Sequence, residues 1–265
     1  MVPRDEGACV TPIGKEPERA VSGIAQAHAD RVEVRGRDLT GELMGHVTFT
    51  EHFHLLLTGR LPTGEQRFFL DLLLVAIAEH GLMPTSIAAR MTLAADPSAL
   101  QGAVAAGILG AGPVVLGTSE DCARLLDDLA RSGRDPAEAV AALRDAGEKV
   151  PGFGHPVHRP VDPRAVRILE LADEHGVAGV HVALARRLED AVAQAWSKPL
   201  PMNVSMPIAA VMLDLGYPVS AVKAVPLLAR TAGLLAHLAE EQERPLGFYL
   251  AGKAEEAVEY EAPGG

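Results

Sequence analysis

The stretch 152-GFGHPVHRPVDPRA-165 decides how the rest of the chain is read. Two of the chain's 10 histidines stand here with two arginines, one aspartate and three prolines, among glycines. Glycine lets backbone N–H groups approach a ligand with no side chain in the way. A guanidinium offers paired donors to a phosphate or carboxylate, and an imidazole exchanges protons near neutral pH. The residues alone leave two readings open. One is a ligand-facing loop built on His155, Arg159 and Arg164; the other is a proline-rich surface turn with solvated histidines.

Working outward, helix signals dominate. Asp162-Pro163 opens a helix over 164–176, and Thr63 begins the capping box TGEQ ahead of the apolar run 68–80, which Gly81 stops. Thr85 or Ser86 can cap 87–95, and Asp96-Pro97-Ser98 restarts the chain into a Gly/Ala-rich helix within 102–117. Ser119 caps a helix through 120–132. In 135-DPAE-138 the Asp caps, Pro136 takes the first helical position and Glu138 completes a capping box. Further amphipathic segments cover 180–196, 207–216 and 225–242, whereas the tail from Gly247 reads as irregular and acidic. Residues 32–40 suit a short extended stretch. Sustained period-2 alternation is otherwise absent, so the expected fold class is all-α.

Composition narrows the function. Of 265 residues 48% are hydrophobic, ample for a core, and only 4% are aromatic, so Ala, Leu and Val must fill it. A net charge of −11 argues against nucleic-acid binding, which draws its affinity from Lys and Arg on phosphates. The apolar stretch 102–117 is shorter than the ~20 residues that span a bilayer. The first ten residues show no signal-peptide pattern, and Cys9 and Cys122 are too few for a disulfide framework. No membrane partner, reduced cysteines and a cytoplasmic location are expected. Metal binding has little support, because His155 and His158 lack a second pair of ligands.

Three other positions invite a ligand. His80 stands at a helix C-terminus, where it either complements the helix dipole or reaches a substrate. Arg230, inside the apolar run 225-VPLLARTAGLLAH-237, either snorkels outward or meets a buried anion. Arg244, in 243-ERPLGFYLAG-252, is either exposed or functional.

Taken in order, these pieces resemble the citrate synthase family, and within it the short citryl-CoA lyase-like members. The similarity runs from about residue 30 to 252, through FTEHFHLLLTGRLPT (49–63), EHGLMPTSIAARM (79–91), GFGHPVHRPVDPR (152–164), PMNVS (201–205) and ARTAGLLAHLAEEQERP (229–245). The resemblance implies a homodimer with a large helical domain, residues 1–148 and 226–265, and a small domain, 149–225, closing over the active site. It implies carbon–carbon bond cleavage or formation between an acyl-CoA and a 2-oxo acid such as oxaloacetate. Coenzyme A thioester would be the co-substrate, with no permanently bound cofactor, and the other ligand a di- or tricarboxylate. By the same resemblance His80 and His155 are catalytic, His155 exchanging a proton with the substrate's carbonyl or hydroxyl oxygen. Arg164, Arg230 and Asn203 bind substrate, as does Arg244 from the partner subunit. Arg159 reaches a coenzyme A phosphate, and Pro151, Gly152, Phe153 and Gly154 line the adenine.

Two positions depart from the family pattern. Val115 stands where a histidine usually stabilises the enolate oxygen, and Ser205 where an aspartate usually abstracts the methyl proton. Loss of a positioned base forfeits ~10²–10⁴ in rate and loss of an oxyanion donor ~10²–10³. The same scaffold with altered acyl-CoA chemistry, or a non-catalytic dimer that binds coenzyme A and carboxylates, is therefore the alternative expectation.

Overall fold

A computed structural model describes residues 20–155, 157–196 and 200–262. Cys9 and the N-terminal ten residues lie outside this set. The chain folds as two compact units, Met1–Leu61 and Pro62–Gly265.

In the first unit the expected extended stretch is a small antiparallel sheet in the order β1 (Ala25–Ala27), β2 (Val32–Val34), β3 (Arg37–Asp38). Arg35 and Gly36 join β2 to β3 with φ of 50° and 75°, the left-handed pair of a tight hairpin turn. Asp38 then accepts the N–H groups of Thr40 and Gly41 to start a π-helical turn, Leu39–Leu43. Helix α1 (Phe49–Thr58) follows behind a reciprocal Thr48–Glu51 capping box. Val34, Leu43 and Leu55 form this unit's core.

The regular elements of the second unit are all helices among the described residues, with one isolated antiparallel bridge, Phe153 to Met202. The Thr63–Gln66 capping box forms as expected, each residue bonding the other's backbone, and opens α2 (Gly64–Ala78). It is followed by α3 (Pro84–Ala95) and α4 (Leu100–Leu109). Then come α5 (Thr118–Ser132), α6 (Pro136–Asp145), α7 (Pro163–Glu174) and α8 (Val180–Trp196). Next are α9 (Ser205–Asp214), the short α10 (Val219–Val222), α11 (Ala224–Glu243) and α12 (Gly247–Ala257).

Two packed groups of helices position the site. In one, α11 packs against α2, α3 and α4. Ala89, Leu93, Ala103, Leu234 and Leu238 are buried at the centre. A Cβ on Gly107 would come within 2.6 Å of Leu234 Cδ1, so α4 reaches α11 only because that side chain is missing. The segment Val219–Glu243 is long and apolar enough to cross a membrane by composition. Here, though, its face Val225, Ala229, Leu234 and Leu238 is buried within the unit. In the other group α9 packs against α5, α7 and α8. Every residue from Ser205 to Met212 is buried, each large apolar one contributing about 1.5–3 kcal/mol.

Four expectations about elements are corrected. The helix expected within 102–117 ends at Leu109, because Pro113 supplies no N–H and Gly110 and Gly112 favour turns. The α3 cap is Met83 with Pro84 at the first position, while Thr85 and Ser86 are buried inside the helix. Helix α5 begins at Thr118, so Ser119 lies within its first turn and its hydroxyl donates to Leu116 O. The tail from Gly247 is not irregular but forms α12. Its first N–H groups, from Leu246 and Gly247, are accepted by the Glu241 carboxylate on α11.

Candidate active site

The loop 151–162 owes its shape to glycine. Gly152 has φ of 82°, and a Cβ there would lie 2.8 Å from Cys122 Sγ and 2.9 Å from Met206 Cβ. No other residue fits. The loop is laced to the segment before α9. Gly154 N donates to Pro201 O at 2.8 Å, Asn203 N to Gly152 O at 2.9 Å, and Asn203 Nδ2 to Gly154 O at 3.0 Å. Asn203 Oδ1 accepts Ser205 N, so its amide joins two loops at the cavity wall.

Asp162 completes the lacing. Its carboxylate is fully buried and caps α7 through Arg164 N, takes the Arg164 guanidinium at 3.0 and 2.8 Å, and accepts Val204 N at 3.1 Å. Burial pushes this carboxyl up, but the hydrogen bonds and charge of Arg164 outweigh it and hold it below its ordinary value.

The lacing brings distant residues around one cavity of about 240 Å³. His80, from the α2–α3 connection, faces His155 and Arg164 across it, with Arg230 of α11, Val115, Asn203 and Ser205 also in the wall. Val114, Thr118, Gly154, His155 and Asn203 are shared with a second cavity of about 600 Å³, walled by Lys149 through Gly154, Val192, Trp196 and Leu200. The two form one continuous groove.

Arg230 is 3% exposed, and its Nε and Nη1 have no hydrogen-bond partner. Its Nη2 makes a 3.4 Å bond to Ile77 O, and Glu79 lies 3.9 Å away. Burial holds its pKa down. A buried guanidinium with two nitrogens that lack hydrogen bonds and only one distant carboxylate is costly; an anion in the cavity would supply the missing bonds. Glu79 is itself oriented: Oε1 accepts the N–H groups of His80 and Gly81 at 2.7 Å, and Oε2 lies 3.0 Å from His237 Nε2. Arg90 Nε donates to His237 Nδ1 at 3.0 Å, so the neutral ring carries its proton on the side facing Glu79. Buried Arg90 also pairs with Glu240 and Glu241. A chain of charges thus runs from the α3–α11 core to the turn bearing His80.

His155 Nδ1 accepts the N–H groups of Val157 and His158 at 3.0 and 2.9 Å. The proton of the neutral ring is therefore on Nε2. His158 is a residue the sequence reading left without a role. Its Nε2 lies 3.0 Å from His80 Nε2, and its ring centroid 4.4 Å from that of His155. His80, His155 and His158 each offer a ligand atom within 4.8 Å of the others, the geometry of a three-histidine metal set. With Nδ1 of His155 engaged as acceptor, only His80 and His158 have a nitrogen free, one ligand short of the usual three. Burial first, then the neighbouring His158 and Arg164, hold His155 below its ordinary pKa. His80 is lowered in the same way, by burial and then by Arg164 and His158.

Pro151, Gly152, Phe153 and Gly154 thus line the larger cavity, and His80, His155, Arg164, Arg230 and Asn203 the smaller, with the variant positions Val115 and Ser205 beside them. Arg159 and Arg244 are exposed and line neither. Leu116, next to Val115, has φ of 66°, unusual for a non-glycine residue, and marks a strained wall that no sequence pattern announced.

Comparison with known proteins gives a consistent result. Residues 64–246 match the model of the citrate synthase C-terminal domain. Citrate synthase of Deinococcus radiodurans is 31% identical over 244 residues, 86% of this chain and 63% of that one. The solved citryl-CoA lyase from Hydrogenobacter thermophilus superposes with a TM-score of 0.84 at 29% identity, covering 93% of this chain and 96% of that one. Citrate synthase from Thermoplasma acidophilum, solved with carboxymethyl coenzyme A and oxaloacetate, gives a TM-score of 0.63 at 25% identity over 74% of this chain and 54% of that one. The chain spans about half the length of several curated relatives it matches. With that family model covering well over half of the chain, and the motifs it rests on converging on one groove, the chain belongs to the citrate synthase family.

Proposed function

We propose that the chain makes or breaks a carbon–carbon bond between an acyl-CoA and a 2-oxo acid such as oxaloacetate, as a citryl-CoA lyase does. The observation that carries this reading is the convergence of His80, His155, Arg164 and Arg230 on one small cavity continuous with the groove of 151–154. Nε and Nη1 of Arg230, which make no hydrogen bond, offer a carboxylate two donors. Arg164, fixed by Asp162, presents positive charge to the same ligand. The larger cavity has room for a pantetheine arm, with Lys149 beside it.

His155 supplies the proton chemistry. Its Nε2–H donates to the oxygen that is a carbonyl in the oxo acid. For that oxygen to gain the proton in condensation and leave a neutral imidazole, the ring must also carry a proton on Nδ1, released from its two backbone bonds; cleavage runs the same step backwards, the Nδ1-protonated neutral ring taking the hydroxyl proton on Nε2 as the carbon–carbon bond breaks. We further propose that residues 149–225 act as a small domain closing over the site, and that a second copy of the chain contributes Arg244.

A second reading has its own support. Val115 and Ser205 stand in the cavity wall, and among the described residues no base lies within hydrogen-bonding distance of Ser205 Oγ. Altered acyl-CoA chemistry, or binding of coenzyme A and carboxylates without turnover, follows if nothing replaces the missing base. Purified protein given citryl-CoA separates the readings. Release of acetyl-CoA and oxaloacetate supports the lyase. Binding of coenzyme A and citrate by calorimetry without turnover supports the non-catalytic form, and silence on every ester with no binding overturns both.

A further inference from the structure

We infer that Glu79 is a positioning residue that aims His80 into the cavity, through hydrogen bonds to the backbone on either side of it. The inference rests on the functional reading above and adds a residue, Glu79, that this reading does not use.

Helix α2 ends at Ala78, and His80 stands in the connection to α3, where no helical ladder holds the backbone. Glu79 takes extended backbone angles, and Gly81 turns left-handed with φ of 76°. Between them, one oxygen of the Glu79 carboxylate accepts the N–H groups of His80 and Gly81, both at 2.7 Å. Those two N–H groups belong to the peptide planes that flank the His80 Cα. Fixing both planes fixes φ and ψ of His80, and with them the direction of its Cα–Cβ bond. The far side of the turn is pinned from α3, where the Ser86 hydroxyl lies 2.9 Å from both Gly81 O and Met83 O.

The carboxylate is itself held against α11. Its second oxygen lies 3.0 Å from His237 Nε2, and Arg90 Nε donates to the other nitrogen of that ring. Gly233 makes the approach possible: a Cβ there would lie 2.2 Å from Ala78 O and 3.0 Å from Glu79 Oε2. Arg230, on the same helix, keeps its Nη1 3.9 Å from Glu79 Oε1, too far for a hydrogen bond. Glu79 therefore joins the turn bearing His80 to the helix bearing Arg230, two groups that line the cavity. Its charge works the other way, because a carboxylate beside Arg230 weakens the pull on an anionic ligand. Geometry and charge thus predict opposite effects of removing it.

The test is calorimetric binding of oxaloacetate to the purified chain, compared among wild type, Glu79→Ala, His80→Ala and the double variant. We expect Glu79→Ala to weaken binding about tenfold, within the ~10²-fold that a displacement of 1 Å can cost, and by no more than His80→Ala does. In the His80→Ala background the same substitution should cost nothing, because no imidazole is left to aim. Glu79→Leu, measured alongside, should repeat the result. A residue that only stabilised the fold would cost affinity equally in both backgrounds. Unchanged or tighter binding by Glu79→Ala, an equal loss in the His80→Ala background, or failure of both Glu79 variants to fold overturns the inference and leaves the functional reading intact. A wild type that binds no oxaloacetate overturns that reading and this inference together.

Discussion

Asp162 shows how much one side chain organises. Fully buried, it accepts four hydrogen bonds, three from Arg164 and one from Val204. Its folded pKa is depressed, so its contribution to stability is complete above the ordinary carboxylate pKa and is lost as pH falls through the folded value. Asp162→Asn is expected to cost about 3 kcal/mol near neutrality, since it leaves Arg164 facing an uncharged amide. Urea unfolding should show that deficit constant above about pH 5 and shrinking below about pH 4; a deficit independent of pH would contradict the assigned charge pair. At this scale the sequence was most legible where partners are close in the chain, as with His155, Asp162 and Arg164. His158 was not legible: its partner His80 is 78 residues away, and no local pattern announces such a contact. Arg230 gave half its meaning in advance, because an arginine in an apolar helix is a visible conflict, but only the packing shows which nitrogens lack partners.

Among the elements, the caps written in local sequence formed at Thr63 with Gln66 and at Asp162 on α7; at α6 Asp135 caps as read through Ala137 N, but Glu138 does not complete the expected capping box. The caps supplied from elsewhere did not show. Asp214, at the end of α9, accepts the N–H groups of Gly179, His181 and Val182 and so caps α8 across more than 30 residues. Asp214→Ala is expected to destabilise the fold by about 1–2 kcal/mol, read from the shift in urea midpoint at unchanged slope. An unchanged midpoint would mean that water replaces the cap at no cost. Glu241 does the same for α12, and this explains the misread tail: an acidic, glycine-started segment carries no helix-start signal of its own when its cap lies on the preceding helix. The Gly/Ala-rich run failed in the opposite sense, since its apolar composition continues past the point where Pro113 ends the helical hydrogen bonding.

For the whole molecule, the fold and the groove follow from the family, and the chemistry turns on what the cavity wall lacks. Val115 and Ser205, which the sequence resemblance places where a histidine would stabilise and an aspartate generate the enolate, both line the cavity. If the ancestral condensation was lost there, Val115→His with Ser205→Asp should raise the release of free coenzyme A from acetyl-CoA plus oxaloacetate by about 10²-fold or more. No gain would place the loss elsewhere. The binding half of the site gives the most direct test of the account. Purified protein is mixed with citryl-CoA and oxaloacetate release is followed, beside His155→Ala. The account predicts release by the wild type and a loss of about 10²–10⁴-fold in the variant. A folded wild type that releases no oxaloacetate, or a His155→Ala variant that releases it as fast, would contradict it.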